Sequence, residues 1–113
     1  MMKKADAVYL KHIRDAISRI EEYTKAVGYN DFIKNHLIQD GVIRQLEIIG
    51  EATKRLSTQF KNNYPHIPWK DIAGMRDKLI HDYLGVDIEA VWETVEKDIP
   101  FLKKEIKKIL SEE

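Results

Sequence analysis

The apolar positions of this chain recur every three or four residues along almost its whole length. That spacing lays one face of an α-helix against a core. In the first segment Val8, Ile13, Ile17, Ile20 and Val27 fall mostly on one face, with Arg19, Glu21, Glu22 and Lys25 off it. Gly28 offers a helix stop, and Asn30 and Asp31 are candidate N-caps for the next helix. A second helix is expected from about Phe32 to Phe60, carried by Val42, Ile43, Leu46, Ile49, Ala52, Leu56 and Phe60. Gly41 and Gly50 lie inside it, and an interior glycine costs about 1 kcal/mol relative to alanine. Such positions are tolerated defects, a break (near Gly41), or places where a neighbouring helix comes close; close approach is the reading preferred at Gly50.

The stretch "KNNYPHIPW" interrupts the pattern, because Pro65 and Pro68 forbid a continuous helix. A third helix is expected from Pro68 or Trp69 through about Tyr83, with Ile72, Met75, Leu79 and Ile80 on its apolar side. Gly85 would stop it and Asp87 would cap the next. Ile88, Val91, Trp92, Val95, Ile99, Leu102, Ile106 and Ile109 continue the helical spacing. Pro100 breaks that run into a helix to about Lys97 and another starting near Asp98. Lys103, Lys104, Lys107 and Lys108 line the outer side of the last helix and read as a solvated face. No alternating strand pattern competes. The expected fold is one all-α domain over residues 1–113, an up-and-down bundle of four or five helices.

Composition narrows the function without fixing it. Lys+Arg and Asp+Glu are 19 each in 113 residues, so the formal net charge is zero. A dedicated nucleic-acid binder usually carries a basic excess, although an enzyme that meets RNA in a local cleft need not. There is no cysteine, hence no disulfide and no thiolate zinc site. No apolar run suits a membrane span. The opening "MMKKADAVYLKH" has no signal-peptide core, so a cytoplasmic location is expected. The histidines His12, His36, His66 and His81 include no i, i+4 pair that would offer a metal two imidazoles on one helical face. Glycine-rich phosphate loops and cysteine nucleophiles are absent, and neither Ser18 nor Ser57 sits in a nucleophile elbow.

One stretch, "RDKLIHDY" at 76–83, does carry chemistry. The guanidinium of Arg76 fits phosphate oxygens. His81 can take and give protons near neutrality, its reference pKa being about 6.5. The Tyr83 hydroxyl can donate to a phosphate or orient the imidazole. Together they suit metal-independent phosphodiester cleavage in RNA, whose own 2′-OH serves as nucleophile. On a straight helix Arg76 and His81 would lie about 140° apart. Either the helix end is distorted between Ile80 and Gly85, or two chains face one another across a cleft. A two-fold homodimer would supply a second histidine.

The flanking sequence resembles the HEPN superfamily, specifically the HepT-like toxins of HepT–MntA systems. Arg76, four residues, His81, one residue, then Tyr83 reproduces the family motif. "RQLEIIGEATKRL" (44–56), "YPHIPWKDIAGMRDKLIHDY" (64–83) and "VDIEAVWETVEKDIPFLKKEI" (86–106) extend the likeness over essentially the whole chain. The resemblance implies an all-α dimer with the motif at the cleft between subunits. It implies a metal-independent endoribonuclease, the toxin of a toxin–antitoxin pair, with no cofactor. The implied partner is a MntA-like nucleotidyltransferase antitoxin that transfers AMP onto Tyr83. Asp77, four residues before His81 and so on the same face of the expected helix, is assigned to orienting that histidine or raising its pKa. Gly50 and Glu51 match a family feature read as packing, and Trp69 and Trp92 are expected as core or interface anchors. The alternative is a non-catalytic substrate-binding subunit of a minimal nucleotidyltransferase, which would have no use for the Arg–His–Tyr set.

Overall fold

The computed structural model describes residues 2–75, 80–81 and 85–112, with Ile80 and His81 described by their backbone alone. The periodic segments become helices: α1 (Lys4–Tyr23), α2 (Tyr29–Phe32), α3 (His36–Arg55), α4 (Thr58–Asn62), α5 (Trp69–Ala73), α6 (Ile88–Glu93) and α7 (Ile99–Glu112). The expected all-α bundle is present. Its core is the meeting of α1 and α3, closed by α7 and by α5 against α3. Leu10, Ile13 and Ile20 of α1, Val42, Leu46 and Ile49 of α3, and Leu102, Ile106 and Ile109 of α7 are essentially inaccessible. Among the described residues no helix is long and apolar enough to cross a membrane.

Several boundaries differ from expectation for local reasons. α1 ends at Tyr23, where both the N–H and the hydroxyl of Thr24 donate to the Ile20 carbonyl, at 3.0 and 2.8 Å. The left-handed residue beyond it is Ala26 (φ 60°), while Gly28 is extended and precedes α2. The expected second helix is divided into α3 and α4, with the short α2 ending where it was to begin. Asn35, not Asn30 or Asp31, caps α3 by accepting the Ile38 N–H at 3.1 Å. Buried Gln39 donates to the Phe32 carbonyl at 2.9 Å, which also accepts the Asn35 N–H at 3.2 Å, so α3 is tied back to the end of α2.

α3 runs unbroken through both glycines. A Cβ at Gly50 would sit 3.1 Å from the Ala73 carbonyl oxygen, and one at Gly41 would sit 3.2 Å from the Tyr23 ring. The missing side chains therefore admit α5 backbone at one point and an aromatic ring at the other; no break occurs at Gly41. Beyond α3, Leu56 is extended and Ser57 caps α4, its hydroxyl accepting the Phe60 N–H at 3.1 Å. The carboxylate of Asp6, buried on α1, receives the Ser57 N–H and hydroxyl, each at 2.7 Å. That pair ties the start of α1 to the α3–α4 junction.

Pro100 acts differently from the break expected of it. A proline there cannot donate to the carbonyl of residue 96. The chain widens into a π-helical turn over Thr94–Asp98, with the Ile99 N–H reaching the Thr94 carbonyl, and Pro100 lies in the first turn of α7. α6, the π turn and α7 therefore succeed one another without a loop.

Candidate active site

Three of the four motif residues, Arg76, Asp77 and Tyr83, lie outside the described residues, and His81 is described by its backbone only. What can be built is the frame that carries them.

Upstream, α5 is fixed by burial and by close contact. Trp69, Ile72 and Met75 are buried, and the Trp69 indole N–H donates to the Tyr64 carbonyl at 3.1 Å. Gly50 lets the Ile72–Ala73 backbone settle directly onto α3. Trp69 is thus an anchor, as expected. So is Trp92, which is partly buried and packs its ring on Phe32 at a centroid distance of 5.0 Å.

Downstream, Ile80–His81 (β1) pairs antiparallel with Gly85–Val86 (β2), His81 opposite Gly85. The third helix therefore does not continue to Tyr83, and a two-residue strand stands where none was expected. Gly85 has φ +98°, a conformation that L side chains rarely adopt, and it allows the chain to come back on itself. Asp87 then caps α6 as predicted, accepting the Ala90 N–H at 3.0 Å. Of the two alternatives the helical geometry left open, a departure from the helix is seen at Ile80–His81 and Gly85–Val86. It also removes the premise that Asp77 and His81 share a helical face, since His81 is extended. Buried Met75 precedes the motif in the chain, and β2 and the Asp87 cap follow it.

A groove of about 440 Å³ opens beside Met75, between α5 and the α6–π–α7 run. Its described polar lining is mainly acidic, with Asp71, Glu93 and Asp98 against Lys97, and Lys97 is already bound to Glu93 at 3.0 Å. Its apolar lining includes Met75, Phe101 and Leu102. Among the described residues no group of three or more His, Asp or Glu side chains is placed to hold a metal ion.

Elsewhere, polar side chains are mostly committed to structure. Glu51 is exposed and lies 3.5 Å from Arg55, so its role is an ordinary i, i+4 pair. The Tyr9 hydroxyl beside Arg55, and then Glu51, hold that guanidinium above its usual pKa. Partial desolvation, and then Glu89 at 3.2 Å, raises the Tyr29 hydroxyl above its ordinary value. His66 contacts Glu105 at 3.1 Å and ties the proline-rich loop to α7. The Asp6–Ser57 pair went unread in the sequence, although Asp6 falls on the same face as Leu10, Ile13, Ile17 and Ile20. An acidic residue on a core face is the signal that could have found it.

Relatives align with this chain over nearly its full length. A protein of Methanocaldococcus jannaschii named "Gamma-glutamylcyclotransferase and putative RNase" is 53% identical over 111 residues, which is 98% of this chain but 50% of that protein. The chain thus spans half the length of that relative. "Probable ribonuclease HepT" of Thermococcus cleftensis is 48% identical over 96% of this chain and 98% of its own. An RNase-named protein of Caldanaerobacter subterraneus subsp. tengcongensis is 44% identical over 97% of this chain and 98% of its own. No solved structure matches the chain. The family model described as "Ribonuclease HepT-like" matches residues 13–109, a span that holds α5, the whole 76–83 motif and α6. The chain therefore belongs to the HepT-like ribonuclease family.

Proposed function

We propose that this chain is a metal-independent endoribonuclease, the toxin of a toxin–antitoxin pair. The observation that carries the reading is family membership over a span that includes Arg76, His81 and Tyr83 at the motif spacing. In the reaction, the ribose 2′-oxygen forms a bond to the adjacent phosphorus as the bond to the 5′-oxygen breaks. A base takes the 2′-OH proton and an acid supplies one to the departing 5′-oxygen. His81 serves in this exchange and Arg76 faces the negative charge gathering on the phosphoryl oxygens; the orienting role of Asp77 rests on its place beside Arg76 in the sequence alone, without a shared helical face. The products are a 2′,3′-cyclic phosphate and a 5′-hydroxyl.

A homodimer would bring two motif copies to one cleft and supply a second imidazole. A MntA-like nucleotidyltransferase antitoxin would transfer AMP from ATP to the Tyr83 oxygen, releasing pyrophosphate. The adenylate adds bulk and negative charge beside Arg76, opposing RNA binding.

The test uses protein made without its partner. Wild type incubated with mixed RNA in excess chelator is expected to yield 2′,3′-cyclic phosphate ends. Strict dependence on added metal would defeat the 2′-OH scheme. Intact mass after exposure to the partner and ATP should show an AMP increment that Tyr83→Phe abolishes; an adenylate mapped to another residue would reject that assignment.

A further inference from the structure

The acidic groove beside Met75 lies on one flank of α5. On the other flank is an open shelf of about 730 Å³. Lys54 from the end of α3, Lys61 from α4 and Lys70 from α5 line it, with Thr58 and Asn62 as neutral polar groups. No carboxylate is among its described lining residues, in a chain with 19 acidic residues and no net charge. Lys61 reaches back to the Thr53 carbonyl at 3.4 Å. Among the described residues Lys54 and Lys70 have no acidic partner, whereas Lys97 and Lys103 elsewhere are each bound to a glutamate. The hollow between α1 and α3 is a weaker candidate, because Glu47 and Glu51 line it and Arg55 is engaged by Glu51.

We infer that the Lys54–Lys61–Lys70 shelf is an RNA-backbone subsite that leads the strand toward the motif. Charge favours a polyanion: the three lysines come from separate elements and line one hollow whose described lining residues include no carboxylate. Position favours the substrate of this active site. Ala73 lines the shelf, and consecutive Cα atoms are 3.8 Å apart, so the Cα of Arg76 lies within about 11 Å of that of Ala73 however the chain runs. A strand lying on the lysines is therefore a few nucleotides from the arginine. The subsite reads phosphates and not bases, because lysine is a point charge and Trp69, although it lines the shelf, is only 7% exposed. The placement on the motif's approach rests on the ribonuclease reading; the anion preference of the shelf does not.

The experiment separates the two. Binding of a fluorescein-labelled 2′-O-methyl oligoribonucleotide, which cannot be cut by 2′-OH attack, is followed by anisotropy across a salt series. Losing contacts to three phosphates lowers the salt slope by about 2 and weakens binding roughly tenfold to a hundredfold at low salt. That is the result expected of Lys54→Gln/Lys61→Gln/Lys70→Gln. A Lys54→Gln/Lys70→Gln variant, which leaves the Thr53 contact alone, should show about two thirds of the change in slope. The control Lys104→Gln/Lys107→Gln/Lys108→Gln removes as much charge from the outer face of α7 and should shift affinity less than about twofold. Unchanged binding in the shelf variants, or an equal loss in the control, would overturn the proposal. Unchanged RNA binding with lost association to a nucleotidyltransferase would reassign the shelf to a protein partner. Where wild type cleaves, the shelf variants should raise KM and spare kcat. A wild type that binds but does not cleave would sink the ribonuclease reading and leave the shelf standing.

Discussion

The two flanks of α5 make an instructive pair. One faces a groove with Asp71, Glu93 and Asp98; the other faces a shelf with Lys54, Lys61 and Lys70. Lys70 and Asp71 are consecutive, and successive helical residues diverge by about 100°, so one short helix sends opposite charges to its two sides. A net charge of zero hides this sorting. Composition alone argued against a nucleic-acid binder, and it did so by averaging two surfaces that a polyanion would meet separately. Met75 lines one hollow and Ala73 the other, so under the proposed function their difference concerns how substrate arrives, not what the chemistry is.

The most severe way to probe that distinction is to remove the chemistry. His81→Ala should lower kcat for RNA cleavage by about 100-fold to 10,000-fold while leaving oligonucleotide affinity near wild type. Rates within a few-fold of wild type would remove His81 from the mechanism. Next in size is a change that loosens the shelf and not the groove. Ser57 sits in sequence between Lys54 and Lys61 and is held by buried Asp6. Ser57→Ala deletes both the cap and a partner of that carboxylate and should cost about 2 kcal/mol in urea unfolding. RNA affinity should fall with it; full affinity at reduced stability would show that the shelf does not depend on this junction.

Changing the wall common to both hollows comes third. Gly50→Ala pushes a methyl against the Ala73 carbonyl, and overpacking at about 1–3 kcal/mol exceeds the helix-propensity gain of about 1 kcal/mol. A net loss of about 1 kcal/mol is expected. Gly41→Ala meets the Tyr23 ring, which can rotate aside, and should cost less than Gly50→Ala in the same melts. The smallest effect belongs to the acidic groove. Asp71→Asn/Glu93→Gln/Asp98→Asn should tighten RNA binding by about twofold or less at 0.15 M salt, where screening acts over about 8 Å. A tenfold gain would place the strand in the groove and overturn the contrast.

Much of the fold was legible because burial has a local signature. The apolar stripe of α1, Asp87 as the cap of α6, and Gly50 as a point of close approach all came from spacing and residue type. The segments that misled were those where two local rules competed. Asn30 and Asp31 were good caps, but Asn35 had the better position once Phe32 was drawn into the core beside Trp92. Pro100 was a breaker by composition, yet a π turn absorbed its missing donor without ending the helix. The helical spacing of Leu79 and Ile80 suggested a helix to Tyr83, but Gly85 could adopt a positive φ and turned the chain back to pair with His81.

What the sequence determined by itself was the class of fold, its helical periodicity and the identity of the motif, because these depend on residue types at short separations. Tertiary structure decided the rest. It set His81 in an extended pair and not on a helix, joined Asp6 to Ser57 across 51 positions, and gathered Lys54, Lys61 and Lys70 from separate elements. Charges distant in sequence carry no periodic signal, and only packing determines whether they gather or disperse.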